Sequence, residues 1–115
     1  MKVFTPEEVK SIVARAEQAA FAAGSAYFNG KLGGTDRGAV GFAWSTVYNV
    51  KGSTKLGKAL TAAGFRKAYG GGLQFWMPGR QPCQSIGVHE VAADAFTKVI
   101  REELEVECYS GSRMD

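Results

Sequence analysis

Apolar and small residues recur at Val9, Val13, Ala16, Ala20, Gly24 and Tyr27, three or four positions apart. That spacing marks one buried face of an α-helix. Just ahead of it, Thr5-Pro6-Glu7-Glu8 supplies a capping hydroxyl, a proline suited to the first helical turn and a glutamate that closes a capping box. The face is rich in alanine. Small residues let a second helix approach closely, either within the chain or in a second copy.

Asn29 to Arg37, punctuated by Gly30, Gly33 and Gly34, reads as a loop. From Ala39 to Val50 the period changes to two: Val40, Phe42, Trp44, Thr46 and Tyr48 alternate with smaller residues, the signature of a strand. Ser53 or Thr54 caps a short helix through Leu56, Leu60 and Ala63. Gly64 ends it, with Phe65 making the apolar contact that accompanies such a stop. Phe65 to Tyr69 and Leu73 to Met77 read as a hairpin around Gly70-Gly71-Gly72. Pro78 to Pro82 is a loop. A second long helix follows from about Val88 to Leu104, with Val91, Ala92, Ala95, Phe96, Val99, Ile100 and Leu104 as its apolar stripe. Val106 to Tyr109 is read as a final short strand and Ser110 to Asp115 as a tail. The order α-β-α-β-β-α-β predicts an α+β fold: a small antiparallel or mixed sheet of about four strands, two long helices and one short one, in a single domain over residues 1–115.

Charge changes this picture by dividing the chain. Residues 1–50 carry five basic and four acidic side chains, residues 51–80 six basic and none acidic, and residues 81–115 three basic and seven acidic. No acid occurs between Asp36 and Glu90. The net charge of +3 therefore hides a polarised surface able to concentrate anions. No apolar run approaches the ~20 residues of a membrane span. The opening residues lack the apolar core of a signal peptide. Two cysteines, Cys83 and Cys108, form no disulfide framework. The expectation is a reduced, cytoplasmic protein without membrane contact.

Motifs for catalysis are incomplete. Gly52-Ser53-Thr54-Lys55-Leu56-Gly57-Lys58-Ala59 follows a strand and opens a helix, as a phosphate-binding loop does, but Ala59 stands where a hydroxyl must hold magnesium. No acid nearby completes a metal site. A helix N-terminus flanked by Lys55 and Lys58 remains able to attract an anion. His89, the only histidine, is followed directly by Glu90, and neighbours on a helix point apart. A nucleophilic Cys83 would need His89 and an orienting third group. Glu102, Glu103, Glu105 and Glu107 read as a solvated face. No catalytic residue, metal or cofactor is expected.

Binding features are better supplied. Phe75 and Trp76 are adjacent in a strand and so face opposite sides of the sheet; either one is core and the other a surface for stacking on a base, or both are buried. Tyr69 and Gly71 flank the hairpin turn, where glycine lets a backbone approach a ligand closely. Gln84 and Ser85 precede a helix and offer amide and hydroxyl groups, with Ser85 also a candidate cap. Arg37, Arg66, Arg80 and Arg113 sit in loops or element ends, where forked donors clasp phosphates. Arg113, in the tail, is placed to reach a neighbour's pocket.

Gly41-Phe42-Ala43-Trp44, then Gly70-Gly71-Gly72, Gln84-Ser85, and Ser110 through Ser112-Arg113-Met114-Asp115, resemble a family of small tailed-phage proteins of unassigned role. Val40 and Gly87 depart from that pattern, which has a cysteine and an acidic helix cap there. In size, helix-first layout and basic–aromatic composition the chain also resembles the Thoeris anti-defence sponges of the first type. That resemblance implies a non-enzymatic phage protein that sequesters cyclic ADP-ribose isomers, and in some members cyclic oligonucleotides of CBASS signalling, as a hexamer built from dimers. A homo-oligomer, a dimer or a trimer of dimers, follows from it. The site residues Arg37, Tyr69, Gly71, Phe75, Trp76, Arg80, Gln84, Ser85 and Arg113 are chosen on their chemistry alone. Two other classes fit the same basic stretch: a small nucleic-acid-binding protein, and a phage protein that docks on a host enzyme.

Overall fold

The computed structural model describes residues 3–115. The elements follow in the expected order: α1 (Pro6–Gly30), β1 (Gly41–Tyr48), α2 (Lys55–Ala62), β2 (Arg66–Lys67), β3 (Leu73–Trp76), α3 (Ile86–Leu104) and β4 (Glu107–Met114). The four strands form one antiparallel sheet in the order β2-β3-β1-β4. The fold is α+β, with all three helices on one side of the sheet.

Local chemistry sets the helix ends. The Glu8 amide donates to Thr5 Oγ1 at 3.1 Å, and the Thr5 amide donates to Glu8 Oε1 at 2.8 Å, a complete capping box. Thr5→Ala is expected to cost about 1 kcal/mol, read as a lower midpoint in thermal denaturation. At α2, Thr54 is the cap: its hydroxyl accepts from the Gly57 amide at 3.0 Å and donates to the Lys51 carbonyl at 2.7 Å. Gly57 lacks a side chain because a Cβ there would land on that carbonyl. The resemblance to a phosphate-binding loop thus has another origin: the segment is folded onto its own backbone. Gly64 (φ +120°) ends α2, and the Phe65 amide donates back to the Leu60 carbonyl.

The alanine-rich face of α1 packs inside the chain. Val9, Ile12, Val13, Ala16, Ala20 and Gly24 are buried where α1 packs on α3 and α2, with Ala20 against Gly79 and Gly24 against Gln81 of the loop after β3. Of the two settings that face allowed, the intramolecular one is realised. Gly87, in the first turn of α3 where an acidic cap was expected, leaves room for the Tyr27 hydroxyl, which would have to shift for any side chain there. The core is closed by Phe65, Phe75 and Phe96, whose ring centroids lie 4.6–5.9 Å apart.

Two readings are corrected. The segment Ser110–Asp115 is not a tail. Residues 107–114 form a full strand paired with β1 from Tyr48↔Glu107 to Gly41↔Met114. Its two inward serines meet polar groups rather than apolar ones: Ser110 Oγ lies 2.8 Å from Thr97 Oγ1, and Ser112 Oγ donates to the Glu90 carboxylate at 2.6 Å. An apolar alternation was therefore absent from the sequence. The buried face of α3 is also rotated. It runs through Val88, His89, Ala92, Ala93, Phe96, Thr97, Ile100 and Leu104, whereas Val91, Ala95 and Val99 are only half-buried. Thr97 is inside because it joins a buried chain of polar groups, with its hydroxyl 2.7 Å from Ser45 Oγ, itself 3.0 Å from Cys108 Sγ.

Candidate nucleotide-binding face and groove

Side chains alternate across a strand, so β1 sorts its residues into two sets. Gly41, Ala43, Ser45 and Val47 face the helices and are buried. Ala92, Ala93 and Thr97 of α3 are likewise small and buried on the side that meets the sheet, so α3 lies directly on β1 and β4. The larger residues of β1, namely Phe42, Trp44, Thr46 and Tyr48, are sent to the face that no helix covers. The register places Trp76 of β3 beside Trp44, Tyr109 of β4 beside Thr46, and Arg113 beside Phe42 on that same face.

The result is an open aromatic surface. The Trp44 and Trp76 rings are stacked, 5.5 Å apart and 6° from parallel, and Phe42 leans on Trp76 at 5.6 Å. Such offset rings are favourable pairs. The Arg113 guanidinium lies 5.8 Å from the Phe42 centroid, and Tyr48 and Tyr109 are 6.0 Å apart. Gly111 sits across from Trp44, and a Cβ there would meet the indole. Glu107, an acid on this face, is at the Tyr48 end and accepts from the Asn49 side-chain amide Nδ2.

Trp76 joins this surface to a groove of about 470 Å³ between α1, the end of α2 and β3. Lys10, Arg66 and Arg80 line it together with Gln74, Phe75 and Trp76; the acid in it is Glu17. Glu17 is occupied, accepting from the Gly79 amide at 2.7 Å and standing 4.0 Å from Arg80. Arg66 is anchored: its Nη1 donates to the carbonyls of Thr61 (3.1 Å) and Phe65 (2.8 Å). A cation at the end of α2 also suits the helix dipole. The groove therefore presents fixed positive charge beside a flat ring.

Of the residues proposed from sequence, Phe75, Trp76 and Arg80 meet in this groove. The choice between the two aromatics is resolved: Trp76 is 48% exposed, whereas Phe75 is 6% exposed and belongs to the core. Arg113 is on the open face, not in a tail, with its side chain over its own chain's Phe42. The others stand apart. Tyr69 is fully exposed at the β2–β3 turn, and Gly71 (φ +105°) serves that turn. Arg37 and Gln84 are exposed on the loops before β1 and α3, and Ser85 is buried. The amides of Gln84 and Ser85 donate to the Asp36 carboxylate at 2.9 and 3.2 Å, and Ser85 caps α3 in position but without a side-chain hydrogen bond. Sequence reasoning passed over Lys10 and Gln74. Nothing local marks Lys10, which reaches the groove only because α1, packed on α3 and α2, forms the wall that faces β3. The signal for Phe42 and Trp44 was present in their alternation, but not which face they take.

Other reactive groups are turned inward. His89 is buried, its Nε2 lies 2.8 Å from the carbonyl oxygen of Cys83, and its Nδ1 has no partner. The contact is with the backbone of Cys83, not its sulfur. Burial pushes the Cys108 thiol upward, against the lowering effect of its hydrogen bonds to Ser45 and Thr97 and of Arg101. Among the described residues, no group of three or more His, Cys, Asp and Glu side chains is placed to hold a metal ion, and no helix is long and apolar enough to cross a membrane. Comparison with models of protein families, with curated proteins and with solved structures gives no match to this chain.

Proposed function

We propose that this protein binds a phosphorylated nucleobase ligand and holds it unchanged. The observation that carries this reading is the position of Trp76, half-exposed, stacked on Trp44 and lining the groove with Lys10, Arg66 and Arg80. A base stacks on aromatic rings for ~1–3 kcal/mol each, and arginine forks match phosphate oxygens. Holding a ligand needs only these contacts and enclosure, without a general acid or base.

Taken with the sequence resemblance, the ligand class is a cyclic nucleotide immune signal: cyclic ADP-ribose isomers, or the cyclic oligonucleotides of CBASS. The protein then acts as a sponge in the cytoplasm of a phage-infected cell, and a homo-oligomer supplies further enclosure. To test this, the purified protein is incubated with these nucleotides, freed of excess ligand and denatured. The expected result is release of the intact nucleotide, identified by mass. A modified product would make the protein an enzyme, and an empty protein would contradict the reading.

A second reading draws on the extent of the open face. Aromatic rings from three strands suit a run of stacked bases, as on other sheet platforms for single strands. Salt separates the two. Affinity for a polynucleotide falls steeply with salt in proportion to the phosphates contacted, whereas a ligand with one or two phosphates shows a shallow slope.

A further inference from the structure

The outer edge of β4 is free among the described residues, since the sheet order ends there. Antiparallel ladders alternate residues whose backbone groups face the partner strand with residues whose groups face away. The Asp115 amide donates to the Val40 carbonyl at 2.9 Å, so the odd-numbered positions of β4 face β1. The backbone groups of Cys108, Ser110, Ser112 and Met114 therefore point off the edge. One of these positions is closed. Arg101 comes round from α3 and donates to the Cys108 carbonyl through Nε (3.2 Å) and Nη2 (2.5 Å), with its guanidinium 5.1 Å from the Tyr109 ring centroid. From Ser110 to Met114 the edge has no proline or lysine, and its one charged side chain, Arg113, points to the open face. Proline and lysine are two of the devices by which single chains guard such an edge, and both are missing here; the one charge brought to this part from α3, Glu90, is held by the Ser112 hydroxyl.

We infer that this edge pairs with the same edge of a second copy, antiparallel and centred on Ser112, to give a continuous eight-stranded sheet. Centring on Ser112 matches Ser110 to the second copy's Met114 and leaves the Cys108 position, already closed by Arg101, outside the ladder at both ends. A two-fold interface of this kind is self-complementary. It also sets Arg113 opposite the second copy's Gly111, next to that copy's Trp44, so that the two aromatic faces become one and each carries an arginine from the other chain. This pairing stands independently of the ligand reading.

Sedimentation and amide hydrogen exchange test it together. The expected result is a dimer in which the amides of Ser110, Ser112 and Met114 are strongly protected, with that protection lost on dilution to monomer. The amides of Tyr109, Gly111 and Arg113, bonded to β1, stay protected throughout. Ser112→Pro removes an edge donor but no bond to β1; it is expected to sediment as a monomer with native circular dichroism. A monomer at all concentrations would overturn the inference. So would any oligomer in which the Ser110, Ser112 and Met114 amides exchange as fast as the loop amide of Gly33, and this arm holds for the unaltered protein whether or not the variant folds.

Discussion

Phe96→Ala is expected to destabilise the fold by about 3–5 kcal/mol. Phe96 is fully buried at the middle of α3, 4.6 Å from the Phe75 ring and 5.9 Å from Phe65. Truncation removes the contacts of both neighbours and opens a cavity between α3, β3 and the end of α2. The hole cannot close easily, because Phe75 and Phe65 are fixed by strand pairing and by the Gly64 stop. Domains of this size are stable by only about 5–15 kcal/mol, so the loss takes a large part of the whole. In urea denaturation the midpoint should fall while the slope stays the same. A change below about 1 kcal/mol would mean that the three rings are not the centre of the core.

Trp76→Ala should act on the ligand instead of the fold. The ring is half-exposed, so its removal costs the stack on Trp44 but leaves no internal cavity. Losing one stacked base, ~1–3 kcal/mol, lowers affinity roughly 5- to 150-fold. Trp76→Phe should recover part of this, since a smaller ring still offers a flat face. Arg80→Ala should weaken binding and reduce its salt dependence, because a phosphate contact is lost. Tyr69→Ala, at a fully exposed turn position, should leave affinity unchanged. Equal affinities for Trp76→Ala and the unaltered protein, measured by equilibrium dialysis, would place the ligand elsewhere.

The fold was legible where its signals are local. Thr5-Pro6-Glu7-Glu8 names the start of α1 through groups three residues apart, and Gly64 marks the end of α2 through its own positive φ. The β2–β3 hairpin follows from its glycines. What failed to show were features set by partners distant in sequence. Ser110, Gly111 and Ser112 look like a tail until Thr97, Trp44 and Glu90 are seen to receive them. Thr97 and His89 look like surface residues of α3 until Ser45 and the Cys83 carbonyl are found opposite them.

The site was legible in kind but less so in place. The absence of acids between Asp36 and Glu90 pointed to an anion, and Arg66, Arg80 and Trp76 from that stretch do line one groove. Arg37, Tyr69, Gln84 and Ser85 came from chemistry alone, and the fold disperses them. Lys10 lies far away in sequence and could enter only with the packing of α1 on α3 and α2. The alternation in β1 was visible, but the small side chains of α3 decide that Gly41, Ala43 and Ser45 turn inward and the aromatics outward.

Both tryptophans of the chain, Trp44 and Trp76, stand in the stacked pair on the open face. Their emission therefore reports on the proposed site and on no other. Titration with cyclic ADP-ribose isomers and cyclic oligonucleotides, followed by tryptophan emission, is the most direct measurement. The account predicts saturable quenching by at least one of these nucleotides, weakened by Trp76→Ala and by Arg80→Ala. Emission unchanged by all of them, in folded protein, would contradict it.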